Sequence, residues 1–170
     1  MSRKGRIISQ PAKKCSIIFG LVYAGIGFAV RICTNNPYAM IHTLGVDEYI
    51  PPLWIFNLLC LFWLFISGSA AGRVCCDLFS SRSGKAQISS YQGLLFFLSL
   101  FFLSLLWYPL FFGGLRLSLS LLISVICIIC SAGCGICWSA TGPYPVVAML
   151  ANALWLFYIM IVNLLTLLCS

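Results

Sequence analysis

Five stretches of this chain hold almost no charge, and each is long enough to cross a bilayer. They run from about Cys15 to Cys33, Pro52 to Val74, Ser90 to Phe112, Leu115 to Trp138 and Val146 to Leu168. Their few charges, Arg31, Arg73 and Arg116, sit at their ends. About 20 predominantly apolar residues span the hydrocarbon core as a helix. A backbone in lipid has no water to bond, so its N–H and C=O groups must be satisfied within the segment. The expected fold class is therefore all-α, an integral membrane bundle of five transmembrane helices. Charged residues make up 8% of the chain, against about 25% in a soluble domain. Residues 1–14 read as a basic N-terminal tail and residues 15–170 as a single transmembrane domain.

The charge balance is +7, with Lys+Arg 10 against Asp+Glu 3. The basic residues lie beside the apolar runs, so membrane orientation explains them and nucleic acid is not expected as a partner. Arg3, Lys4, Arg6, Lys13 and Lys14 precede the first run, and Arg73, Arg82 and Lys85 surround the connection between the second and third; the other side has Arg31 and Arg116. An excess of Lys and Arg marks the cytoplasmic side. The N-terminus is expected there, with the 34–52 loop and the C-terminus opposite. The run from Cys15 to Cys33 is long for a signal-peptide core and lacks a clear small-residue cleavage site, so it reads as retained.

The ten cysteines lie mostly inside apolar runs, where a thiol behaves as a small hydrophobe. Cys127, Cys130, Cys134 and Cys137 fall within about 80° of one another around a helix, but their stripe rises about 15 Å. That is too long for one tetrahedral ion with metal–sulfur bonds of about 2.3 Å. A packing groove is expected and no metal. Small residues recur four apart at Gly20/Ala24, Gly25/Ala29 and Gly68/Gly72. Such pairs let helices approach closely, within one bundle or across a dimer.

Pro51 and Pro52 open the second run and suit a helix's first turn. Pro109 sits within the third and can kink it, and Gly113-Gly114 then permits a tight turn. The 34–52 loop holds Tyr38, His42, Asp47 and Glu48. A loop of that length is often functional, for example as a lid; a lone loop histidine is more often solvated than a ligand. No acid lies well inside an apolar run, which argues against a proton- or cation-coupled pump. There is no Ser/His/Asp set, no HExxH and no glycine-rich phosphate loop. Aromatic rings gather instead at helix ends: Trp54, Phe56, Trp63, Trp107, Tyr108, Phe111, Phe112, Trp155 and Tyr158. They suit either a pocket for a flat hydrophobic ligand or lipid-facing interfacial belts. Trp155 and Asn163 lie about 80° apart around a helix and about 12 Å apart along it. An amide in lipid needs a partner, so their shared face is expected to point into the bundle.

Pro51-Pro52-x-Trp54-x-Phe56 followed by Gly68-x-Ala70 resembles the second-helix signature of the TspO/MBR family (translocator protein, tryptophan-rich sensory protein). Trp107-x-Pro109-x-Phe111-Phe112-Gly113 resembles its third-helix motif, and Trp155 with Asn163 its fifth-helix pattern. Tyr38 and Leu44 fit the preceding loop. The resemblance implies a five-helix receptor or carrier for porphyrins, other tetrapyrroles or sterol-like molecules, held in a pocket under the loop between helices one and two. Tyr38, Trp54, Phe56, Trp107, Phe111, Trp155 and Asn163 would be the ligand-binding or pocket-support residues. A porphyrin would be ligand rather than cofactor, membrane lipid a partner, and a homodimer possible. Porphyrin-degrading enzyme and dimeric scaffold are the alternatives. The chain departs from the family's usual residues at Cys60 (Trp), Leu64 (Tyr), Ser104 (Asn) and Ala151-Asn152 (Pro-Tyr). After Asn163 it lacks the Tyr and basic residue of the sterol motif of some members.

Overall fold

A computed structural model describes residues 10–34, 51–79, 84–113 and 116–169. Tyr38, Leu44, His42, Asp47, Glu48, Arg82 and Gly114 lie outside the described residues. The described residues are all-helical in their regular structure: α1 Gln10–Ile32, α2 Leu53–Phe79, α3 Lys85–Phe112, α4 Leu117–Cys137 and α5 Pro143–Cys169, with a 3₁₀ turn Trp138–Ala140 after α4. Each of the five long helices carries a stretch long and apolar enough to span a bilayer. Large apolar side chains such as Ile136, Leu154 and Leu168 point outward. Apolar surface on that scale needs lipid rather than water against it. The chain is an integral, multi-pass membrane protein.

The helix ends differ from the hydropathy boundaries. α1 begins at Gln10 rather than Cys15, so the basic residues Lys13 and Lys14 belong to a helix. α2 continues past Val74 to Phe79. That extension brings Arg73 Nε to 3.7 Å from Asp77 Oδ2, one turn on, so each charge meets its opposite at the helix end. The double proline stands just before α2 rather than in its first turn. The Pro52 carbonyl accepts from the N–H groups of Ile55 (2.7 Å) and Phe56 (3.1 Å) and starts the helix. Pro109 lies inside α3 without ending it. Gly113 is right-handed, with φ −104°. Its value is close approach, because a Cβ there would sit 2.7 Å from the Pro109 carbonyl oxygen. Between α4 and α5 the turn is made at Gly142, φ +143°, a region open to glycine. Pro143 then opens α5, where its missing N–H costs nothing.

The helices form a ring in the order α1, α2, α5, α4, α3. α1 rests chiefly on α2, α5 on both α2 and α4, and α3 on α4, while α1 and α3 close the ring thinly. The α1–α2 seam is built on glycine. A Cβ on Gly68 would lie 2.7 Å from Tyr23 Cβ and 2.8 Å from the Phe19 carbonyl oxygen, and one on Gly72 would lie 2.7 Å from Phe19 Cβ. Gly68 and Gly72 are thus occupied within the bundle, whereas Gly25 faces open space. α4 meets its neighbours through small polar groups. Trp138, fully buried, donates from Nε1 to the Ser90 carbonyl at 3.4 Å and lies over Gly93, where no side chain would fit. The Cys134 thiol donates to the Gly93 carbonyl at 3.4 Å. The α4 cysteine stripe therefore packs, in this part, against α3.

Candidate functional site

The centre of the ring holds a cavity of about 80 Å³ to which every helix contributes. Tyr23 comes from α1; Cys60, Trp63, Leu64 and Ser67 from α2; Leu100, Ser104, Trp107 and Tyr108 from α3; Ser124 and Cys127 from α4; Asn152, Trp155, Leu156 and Ile159 from α5. A helix can present only about a third of its circumference inward, so contributions from five helices put the cavity on the bundle axis. Its wall is mostly apolar and aromatic. Trp63 and Trp155 stack across α2 and α5, centroids 6.4 Å apart and planes 21° apart. Phe56 and Tyr158 back Trp155 at 5.8 and 5.3 Å. On α3, Trp107 stacks on Phe111 at 5.1 Å and 13°.

The wall's hydroxyls are largely turned back on the protein. Ser67, Ser104 and Ser124 donate to the carbonyls of Trp63, Phe101 and Ser120 at 2.8, 2.9 and 2.9 Å. The Tyr23 hydroxyl lies 3.2 Å from Ser104 Oγ and bridges α1 to α3. Asn152 Nδ2 donates to Ser131 Oγ at 3.1 Å. Trp107 differs. Its indole Nε1 is buried and has no hydrogen-bond partner among the described residues. An unpaired buried donor costs about 1–3 kcal/mol, so a ligand acceptor arriving there would recover much of that.

A smaller pocket of about 40 Å³ adjoins the cavity and shares Cys60, Leu64, Ser104 and Tyr108 with it; Arg31, in the last turn of α1, lines its far side. A cation thus lines a pocket that shares a wall with the cavity. Among the described residues no group of three or more His, Cys, Asp or Glu could hold a metal ion. The arrangement can bind and orient an apolar molecule with a hydrogen-bond acceptor or an anionic end.

The residues expected from the sequence divide into three sets. Trp107 and Trp155 line the cavity, and Phe56 and Phe111, both buried, support them from behind. Trp54 is 63% exposed on the outer face of α2 and does not reach the cavity; it stands where an interfacial belt residue would. Asn163 is fully buried but belongs to the α4–α5 seam. Its Nδ2 donates to Ser124 Oγ at 2.7 Å and its Oδ1 accepts from Ser120 Oγ at 3.3 Å. Tyr38 is outside the described residues. Tyr23 was not among the expected residues, yet a single tyrosine inside an apolar run was its signal: a hydroxyl in lipid must find a partner.

Asn163→Leu is expected to lower stability in detergent by about 1 kcal/mol, the scale of interhelical hydrogen bonds in membrane proteins, and to leave ligand affinity unchanged. Both serines keep carbonyl acceptors in their own helix, which limits the loss. Thermal unfolding beside ligand titration checks this; an equal loss of affinity would move Asn163 into the ligand site.

The sequence model of the TspO/MBR family matches residues 18–168, and the chain belongs to that family. No curated protein matches it significantly. Cys60, Leu64, Ser104 and Asn152 all line the cavity.

Proposed function

We propose that this TspO/MBR family protein is a membrane receptor or carrier for flat hydrophobic ligands, with carboxylated tetrapyrroles the favoured class, and that the ligand occupies the cavity on the bundle axis. The observation that carries the reading is the unpartnered Trp107 Nε1 in a wall of stacked tryptophans. The stacked rings match a planar π-system, and Arg31 in the adjoining pocket matches a carboxylate. The cavity, about 80 Å³, is below the roughly 300–1,000 Å³ of small-molecule sites. A tetrapyrrole therefore enters by displacing wall side chains or parting the thin α1–α3 contact. The four family departures make the wall smaller at Cys60, Leu64, Ser104 and Asn152, so ligand preference should differ from that of members with larger side chains there. The N-terminus is assigned to the cytoplasm on its basic residues. For a homodimer, the outward Gly25 with Ala29 is the small-residue pair on α1 clear of the α1–α2 seam.

Titration of the purified protein with protoporphyrin is expected to quench tryptophan fluorescence at micromolar concentration, and more tightly for the free acid than for its dimethyl ester. No quenching at that level removes tetrapyrroles as the ligand class. Equal affinity for the ester removes Arg31 as the carboxylate's partner. The same samples illuminated beside a lipid-only control separate binding from porphyrin breakdown, since breakdown alone changes the porphyrin spectrum beyond the control.

A further inference from the structure

α2 carries one amide side chain, Asn57, set among apolar residues. An amide in lipid must find a partner or remain unpaired at a cost. Asn57 is 5% exposed. Its Oδ1 accepts from Tyr108 Oη at 3.4 Å, a bond that joins α2 to α3. Among the described residues this is the one hydrogen bond of the Asn57 side chain. It holds Oδ1 toward α3 and leaves the two N–H groups of Nδ2 to be satisfied elsewhere. Asn57 and Tyr108 both line the pocket of about 40 Å³ that Arg31 lines from α1. Arg31 makes no ion pair among the described residues, and no acid lines the pocket. Three helices thus bring a guanidinium and an uncommitted amide N–H to one small space. That space lies where α1 and α3 close the ring thinly, and it shares a wall with the axial cavity.

We propose that Arg31 and Asn57 form a carboxylate subsite, with Tyr108 as its positioning residue, and that the subsite selects planar ligands carrying an acid on a short alkyl arm. This rests on the axial cavity being the ligand site and names the groups that read the ligand's acid end. An ionised carboxylate only accepts hydrogen bonds, whereas the guanidinium and Nδ2 only donate them. Bonds of that kind, with one partner ionised, are about twice as strong as neutral ones. A neutral ester offers the same groups a weaker acceptor and a larger end. A pocket of about 40 Å³ admits an acid group but not a ring, so the ring stays in the axial cavity. The wall that the two spaces share makes the connecting arm short. Arg31 supplies charge from a long, mobile side chain. Asn57 supplies direction, because the Tyr108 bond fixes which end of its amide faces the ligand.

The test titrates the full chain in mild detergent with protoporphyrin and with its dimethyl ester, and reads the ratio of the two affinities from tryptophan quenching. Wild type is expected to hold the free acid more tightly. Asn57→Leu should lower the affinity for the free acid by about 10-fold and that for the ester by less, so the ratio falls. Tyr108→Phe should lower the ratio by about 3-fold. Added to Asn57→Leu it should lower the ratio no further, since a hydroxyl that acts by holding the amide then has nothing to hold. Each ratio comes from one preparation, so a variant that folds poorly loses both affinities alike and still reports. An unchanged ratio in Asn57→Leu overturns the subsite, the result expected if water alone fills the pocket. A Tyr108→Phe loss that persists in the double variant overturns the positioning role. Equal quenching of wild type by acid and ester overturns the subsite but keeps the axial cavity as the ligand site. No quenching by either removes the tetrapyrrole reading, and the subsite with it.

Discussion

Gly68→Leu is expected to cost about 3 kcal/mol of stability or more, the largest effect of any single substitution considered. Overpacking of a close seam typically costs about 1–3 kcal/mol, and more where neighbours cannot give way. Here they cannot. The first added carbon already meets the Phe19 carbonyl oxygen at 2.8 Å and Gly20 Cα at 3.1 Å, both of them backbone. Only separation of α1 from α2 relieves the clash. Separation also withdraws Tyr23, whose hydroxyl lies 3.2 Å from Ser104 and joins α1 to α3. The cavity loses a wall, so ligand binding should fall with stability. The control is Gly25→Leu, at a position with nothing within 4 Å; it should stay within about 0.5 kcal/mol of wild type. Thermal unfolding of both variants in detergent makes the comparison. If Gly68→Leu unfolds at the wild-type temperature, the seam is not where α1 is held.

Trp155→Ala is expected to weaken ligand binding by about 1–3 kcal/mol, or about 5- to 150-fold, while the bundle stays folded. Trp155 is the ring on which three others converge: Trp63, Phe56 and Tyr158. Its removal takes away one stacking face and leaves Trp63 with only the edge contact of Phe62 among its ring partners. The fold should survive because Trp155 belongs neither to the α1–α2 glycine seam nor to the Ser120–Ser124–Asn163 network that ties α4 to α5. Trp54→Ala is the control, since that ring is directed outward and its loss should leave affinity unchanged. Titrations with protoporphyrin decide between two places for the ligand. Wild-type affinity in Trp155→Ala would remove the axial cavity as the site. A loss in Trp54→Ala alone would place the ligand on the outer face of α2.

The aromatic motifs show how far the sequence can be read. Phe56, Trp107, Phe111 and Trp155 stood out as motif residues, and the fold gathers them at one site. Trp54 stood out equally and went elsewhere. Trp54 and Phe56 are two residues apart, about 200° around a helix, so only one of them can face inward. Both are aromatic and both suit an interface, and nothing local distinguishes them. Tyr23 and the inward positions of Cys60, Ser104 and Asn152 depend in the same way on how each helix is rotated. That rotation follows from which helix lies against which.

The number of spans and the class of fold were determined by the sequence alone, because hydropathy summed over about 20 residues is a one-dimensional quantity that needs no partner. Helix ends were less legible. Hydropathy marks the hydrocarbon layer, whereas helical hydrogen bonding runs on through the interface, to Gln10 in α1 and Phe79 in α2. The use of Gly68 and Gly72 was decided only in three dimensions. A small-residue pair invites any backbone to approach, a neighbour's or a second copy's, and the sequence carries no mark of which. Tertiary packing brought α1 there, and by doing so turned Tyr23 toward Ser104.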